Sequence, residues 1–377
     1  MNPVQQVLQR QTPDRFVYAP NYWQWFAHQR DHGRLPDEIA HCQRQAEVIA
    51  HLGLDFFSRN VYANERDYWF GGLAEVRWEG VEYLETESCE GADRLLKKTY
   101  RTPRGELTET LRYVHQQSTL VQEKHLIDDY ATQLDALESL LRARRFVFRR
   151  DRYEQELAKL PAGAVICAGE LYSPLKMMHL VMDPTQTVYC LIDHPEHCAE
   201  LMRIHEQAQL DLVRQMAAAG VPAMMAMDNL DTMFHPPKYV ESYSASFYEQ
   251  ASRLCHEHQS NFFIHACGNQ KANLSLIAAL GVDGLEGVTS PPLGDVELDE
   301  AMRQTGERFL ITGGISAVQF EQLKTREDVF AYIQALLERM RPFAHRYMLA
   351  ASCNTPITAT WDRICDFRDA WLQYREL

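Results

Sequence analysis

The sequence predicts one α/β domain over residues 1–377, a (β/α)8 TIM barrel with a β-hairpin excursion after the second strand. Three observations carry this. Eight short apolar runs of strand length recur along the chain, most of them separated by segments with helical spacing. The residues with the most reactive side chains fall at the carboxyl ends of those runs, where such barrels keep their active sites. The chain has 377 residues, 46% of them hydrophobic, enough for one large core.

Arg15–Pro20 reads as the first strand, stopped by proline. Asn21, Tyr22, Trp23 and Trp25 follow at once, an aromatic group that suits either a pocket wall or the core. Pro36–Leu52 has helical spacing and ends at Gly53. Leu54–Ser58 is the second strand. From Tyr68 to Val114 polar and apolar residues alternate around turn signals at Glu79-Gly80 and Thr102–Gly105, which predicts β-hairpins over 68–114. Val121–Arg145 has helical spacing, with Leu126, Tyr130, Leu134, Leu137 and Leu141 on one face, and a shorter helix runs to Leu160. Ala164–Ala168 is the third strand, followed by Gly169 and Glu170. Pro195 marks the start of a helix that ends at Gly220. Ala223–Met227 is the fourth strand, ending at Asp228-Asn229. Pro236–Gln259 is a long helix.

Phe262–His265 is the fifth strand, and it runs into Ala266-Cys267. Alternate side chains of an extended chain share a side, so the His265 imidazole and the Cys267 thiol point together. Gly268 turns the chain, Asn269 suits a helix cap, and Gly281 closes that helix after Leu280. The sixth strand runs from Gly284 to Glu286. Phe309–Thr312 is the seventh, closed by Gly313-Gly314, and Tyr347–Ala351 the eighth, delivering Cys353. Thr355-Pro356 opens the last helix. His265, Cys267, Glu286 and Cys353 together make a soft, partly anionic ligand set, for which zinc is the first choice. Asp228, Glu170 and Asn354 are candidates for substrate or supporting contacts at the same barrel mouth. His179, His194, His197 and His235 lack that strand-end context.

Composition excludes several classes. The formal charge of −14 argues against a nucleic-acid surface. No apolar run approaches membrane-spanning length, and the N-terminus lacks a basic segment followed by an apolar one. Nine cysteines without regular spacing fit a reducing, cytoplasmic setting.

Three segments carry a family resemblance: His265-Ala266-Cys267-Gly268-Asn269, Gly313-Gly314-Ile315, and Ala351-Ser352-Cys353-Asn354-Thr355-Pro356. From about Asp228 to its end the chain resembles the uroporphyrinogen decarboxylase superfamily, in particular the zinc-dependent branch that includes the methylcobamide:coenzyme M methyltransferases. The resemblance implies that His265, Cys267 and Cys353 bind zinc. The order His-x-Cys, Glu, Cys is also similar to cobalamin-independent methionine synthase, which makes Glu286 the fourth ligand. The true decarboxylases lack this His and Cys set. Their arginine-rich N-terminal segment has only a faint counterpart in Arg30–Pro36. The implied activity is methyl transfer between a corrinoid and a small-molecule thiol or methylated substrate, the corrinoid carried by a separate protein. Either the metal activates a substrate thiol, or it polarises an ether oxygen or amine while reduced cobalt removes the methyl group. A decarboxylase-like lyase and a non-catalytic barrel that holds zinc and a small molecule remain as alternatives.

Overall fold

The computed structural model describes residues 2–59 and 72–377, so expectations for residues 68–71 fall outside the described residues. In chain order the strands are β1 (Val17–Tyr18), β2 (Phe57–Ser58), β3 (Ala74–Trp78), β4 (Glu82–Glu90), β5 (Asp93–Thr102), β6 (Gly105–Val114), β7 (Thr119–Lys124), β8 (Arg144–Phe148), β9 (Val165–Leu171), β10 (Ala223–Ala226), β11 (Asn261–His265), β12 (Gly284–Val288), β13 (Leu310–Ile315) and β14 (Tyr347–Ala351). Eight of them form one sheet in the order β1-β14-β13-β12-β11-β10-β9-β2, and every pairing in it is parallel. All these strands but β11, whose first residue is half-buried, are buried throughout, as continuous apolar runs require when helices cover a parallel sheet.

The sheet curls into a TIM-like barrel. Its two edges meet where the Asp55 N–H donates to the Tyr18 carbonyl at 3.0 Å. The Tyr18 N–H donates back to the Asp55 carboxylate at 3.1 Å. Arg15 grips that carboxylate with two bonds of 2.7 and 2.8 Å. Phe57 of β2 and Phe263 of β11 meet edge to face inside, 5.4 Å between ring centroids, and Met225, Leu310 and Met348 share that interior cluster. Val4, Val7 and Leu8 of the first helix, Pro3–Leu8, join the same cluster. Residues of the opposite strand face, such as Met224, Phe262, Ile264 and Ile311, pack under the surrounding helices.

Between β2 and β9 the chain leaves the barrel. β4 to β7 form a four-stranded antiparallel meander, and β3 pairs antiparallel with β8. Helix Tyr130–Ala143, capped by Asp129, lays Leu134, Leu137 and Leu141 against Tyr100 and Leu107 of the meander. The helix expected over Val121–Arg145 is therefore shorter at both ends. Val121 is a strand residue facing Arg112 of β6, because a cross-strand partner outweighs local helical spacing.

Other boundaries move for equally local reasons. Pro36–Leu52 divides into a 3-10 turn at Asp37–Ile39 and a helix over Gln45–His51. Between them the Gln43 N–H is taken by the Glu47 carboxylate at 2.7 Å. The helix after β11 begins at Leu274, not beside Asn269. The N–H groups of Asn269, Gln270 and Lys271 go instead to the carboxylates of Asp231 and Asp295. The last helix is Trp361–Tyr374, capped by Thr360. Thr355, expected to cap it, donates its N–H to the Asn21 carbonyl. Gly313 and Gly314 lie inside β13 and do not form a turn after it. A Cβ at Gly313 would come 2.4 Å from the Val288 carbonyl oxygen, so glycine lets β12 and β13 approach there. The early aromatic group is core: Tyr22 and Trp25 are fully buried, and the Trp25 indole donates to the Ala359 carbonyl at 2.8 Å. No helix among the described residues is long and apolar enough to cross a membrane.

Candidate metal centre

Two strand ends build the centre. His265 is the last residue of β11 and is buried. Cys267 lies two residues beyond it on the same side of the chain. Cys353 lies two residues beyond the end of β14. The Cys267 sulfur is 3.5 Å from His265 Nε2, and the Cys353 sulfur is 3.7 Å from the same nitrogen. All three donor atoms lie within 4.8 Å of one another. Among the described residues this is the one such convergence of His, Cys, Asp or Glu.

The spacing fits zinc. A tetrahedral centre with Zn–S near 2.3 Å and Zn–N near 2.0–2.1 Å separates sulfur from nitrogen by about 3.6 Å. Two thiols and an imidazole are also the donor types zinc takes in preference to magnesium or calcium.

Glu286 occupies a different place from the one the sequence suggests. It sits within β12 and hydrogen-bonds His265 Nδ1, across the imidazole from the two sulfurs. Arg59 Nε donates to the same carboxylate oxygen at 3.3 Å. Glu286 therefore orients the ring and keeps Nε2 free for a ligand bond. Burial opposes its charge, but Arg59 and His265 prevail and hold its pKa down to about 2. Burial and Arg59 oppose protonation of His265, while Glu286 and Cys353 outweigh them and raise its pKa. Cys353 is held well below an ordinary thiol by a hydrogen bond from Cys267, against burial, with help from His265 and Arg59. The bare site thus favours a Cys353 thiolate beside a Cys267 thiol.

The loops are pinned from both sides. Gly268 has φ +93°, and a Cβ there would fall 1.8 Å from Asp231 Oδ2. That carboxylate accepts the Asn269 N–H at 2.8 Å and sets the turn after Cys267. Asn229 Oδ1 is 3.7 Å from the Cys267 sulfur. On the other side the Asn21 amide donates to Asn354 Oδ1 at 2.6 Å and to the Cys353 carbonyl at 3.3 Å.

The expected supporting residues are present at the mouth in structural settings. Asp228 is fully buried. It accepts the Ser173 N–H at 2.9 Å and the Tyr248 hydroxyl, and burial raises its pKa against those bonds. Glu170 lies within β9, not past its end, and accepts the Leu73 N–H at 2.9 Å, tying the excursion to the barrel. Lys176 is half-buried near Asp228 and Cys267; desolvation lowers its pKa and those groups oppose the change. His179 and His235 meet edge to face at 5.3 Å; burial pushes His179 down to about 4. Neither belongs to the converging triad. Arg59, Lys176 and Tyr248 carried no motif. Only the position of Arg59 directly after the second strand could have singled it out.

A model of the uroporphyrinogen decarboxylase (URO-D) family matches residues 127–374, nearly two thirds of the chain. The solved structure of a methyltransferase from Methanosarcina mazei is similar with a TM-score of 0.59 at 13% identity, over 99% of this chain and 98% of that one. At that identity the likeness concerns the fold. A mandelate racemase/muconate lactonizing enzyme-like protein from Rubrobacter xylanophilus aligns over 78% of this chain and 85% of its own at 10% identity, with a TM-score of only 0.24. No curated protein matches the sequence. The family match, over residues that include the whole sulfur–imidazole triad, places this chain in the uroporphyrinogen decarboxylase family.

Proposed function

We propose that the chain is a zinc-dependent methyltransferase that moves a methyl group between a corrinoid carried by a separate protein and a small-molecule thiol or methylated substrate. The observation that carries this reading is the convergence of one imidazole nitrogen and two cysteine sulfurs at a barrel mouth. The methyltransferase name of the full-length structural neighbour agrees with it. Bound zinc would supply Lewis acidity, lowering the pKa of a substrate thiol or polarising a substrate heteroatom.

The chain's own residues do the rest. His265, Cys267 and Cys353 would hold the metal, and Glu286 with Arg59 holds the imidazole in the tautomer that exposes Nε2. With three protein ligands, a bound zinc would have room for a substrate heteroatom, as catalytic rather than structural zinc sites do. Asp228 and Glu170 take backbone N–H groups and keep the mouth in shape. Asn354, locked to Asn21 beside Cys353, sets the rim on the opposite side.

Elemental analysis of protein purified without chelator is expected to find about one zinc per chain, lost in Cys267→Ala. With a methylated corrinoid protein and a panel of thiols, methyl transfer is expected in the wild type and not in Cys353→Ala. Turnover retained by Cys353→Ala would refute the enzyme reading. A wild type that takes up no zinc on reconstitution would return the decarboxylase-like and non-catalytic readings to the front.

A further inference from the structure

A second cavity, of about 490 Å³, lies between the meander, helix Tyr130–Ala143 and the loop after β9. It shares no described lining residue with the sulfur–imidazole triad. One corner is aromatic. Tyr100 has Trp78 at 5.1 Å and Tyr83 at 5.2 Å between ring centroids. Leu137, Leu140 and Leu141 of the helix add an apolar wall. The volume falls in the range of small-molecule sites.

The cavity also carries a buried cation. Arg144, the first residue of β8, is 7% exposed and lines it. Its guanidinium pairs with no carboxylate among the described residues. Nη2 donates to His205 Nδ1 at 2.7 Å. Nη1 lies 3.5 Å from the Tyr172 hydroxyl, and the group rests over the Phe146 ring at 4.8 Å. Nε has no hydrogen-bond partner among the described residues. His205 brings no opposing charge. Its Nε2 donates to the Tyr172 carbonyl at 2.9 Å, so Nδ1 is the acceptor, and burial with Arg144 holds its pKa well below the ordinary value. The acidic groups of the cavity are engaged elsewhere. Glu109 accepts the Tyr100 hydroxyl at 3.1 Å and pairs with Lys98 at 3.8 Å. Glu75 pairs with Arg77 and Arg149, and Glu85 accepts the Tyr83 hydroxyl.

A buried cation without a paired carboxylate is costly, and a guanidinium held only by an imidazole and a long hydroxyl contact matches a carboxylate. We propose that this cavity binds a small organic carboxylate with a flat apolar body, its carboxylate on Arg144 and its ring among Trp78, Tyr83 and Tyr100. The site is separate from the metal centre and does not depend on the proposed methyl transfer.

The test is calorimetric titration of the full, zinc-reconstituted chain with 2-naphthoate and, in parallel, with its neutral amide 2-naphthamide. The acid is expected to bind one per chain, and the amide at least about tenfold more weakly, the size of one lost charge-assisted hydrogen bond. Arg144→Gln is expected to erase the difference. Val76→Trp, which fills the cavity from β3 and leaves Arg144 in place, is expected to block both ligands. Cys267→Ala is expected to bind the acid as the wild type does. Equal binding of acid and amide, or no binding of the acid at millimolar concentration, would overturn the proposal. So would loss of binding in Cys267→Ala, which would place the probe at the metal centre. If Arg144→Gln does not fold by circular dichroism, the acid–amide difference and Val76→Trp decide alone.

Discussion

Replacing Glu286 with glutamine separates a ligand from an orienting group. In the structure one carboxylate oxygen serves both the imidazole Nδ1 of His265 and Arg59 Nε. A glutamine carbonyl can take that oxygen's place, so both bonds survive and only the charge is lost. The imidazole becomes less basic, and Arg59 loses a buried countercharge. Loss of such an outer partner lowers metal affinity by about 10- to 100-fold, or about 1.4–2.7 kcal/mol. Glu286→Ala would do more, since removing one partner of a buried ion pair costs about 3–5 kcal/mol of stability. The assay is competition for zinc against a chromophoric chelator, with X-ray absorption to count sulfur neighbours. The expected result for Glu286→Gln is a weakened site that still has two sulfurs and one imidazole. Unchanged affinity would refute the orienting role. A loss as complete as that of Cys267→Ala would restore Glu286 to the ligand set.

Two further outcomes follow from the same geometry. The folded Glu286 carboxyl titrates at about 2, below the unfolded value near 4.3, so its contribution to stability is present above pH ~4.3 and is lost as pH falls toward 2; in the metal-free protein the amount is about 3 kcal/mol. Thermal melts of the wild type and Glu286→Gln should therefore converge across that window, and a constant gap between them would contradict the assignment. Gly268→Ala forces a side chain into positive φ and onto the Asp231 carboxylate; strain of about 1–3 kcal/mol is expected to appear mainly as weaker zinc binding, since the turn carries Cys267. Chelator competition beside a melting curve checks this, and wild-type affinity in the variant would show that the turn adapts without moving the sulfur.

Much of this molecule was legible in sequence because the signals were local. Eight apolar runs bounded by glycine, proline and polar residues suffice to mark the strands of a covered parallel sheet, and their carboxyl ends then locate the mouth. His265 and Cys267 point together because strand side chains alternate, and Cys353 repeats their position after β14. Helix boundaries were less legible. The segment around Val121 has helical spacing yet pairs with β6, and Asn269 loses the role of cap to carboxylates of Asp231 and Asp295. Asp231 and Asp295 lie tens of residues from Asn269 along the chain, so no local window contains them.

The role of Glu286 shows the same division. Its residue type and its place near a strand end suggest a ligand, and the sequence by itself determined that a carboxylate stands at this mouth beside an imidazole and two thiols. Only the tertiary structure decided which imidazole nitrogen it faces. Arg59 is 227 residues away in sequence, and its cation keeps the carboxylate charged and turned to Nδ1. Charge interactions act through space and depend on burial, and neither distance nor burial is written in the order of residues.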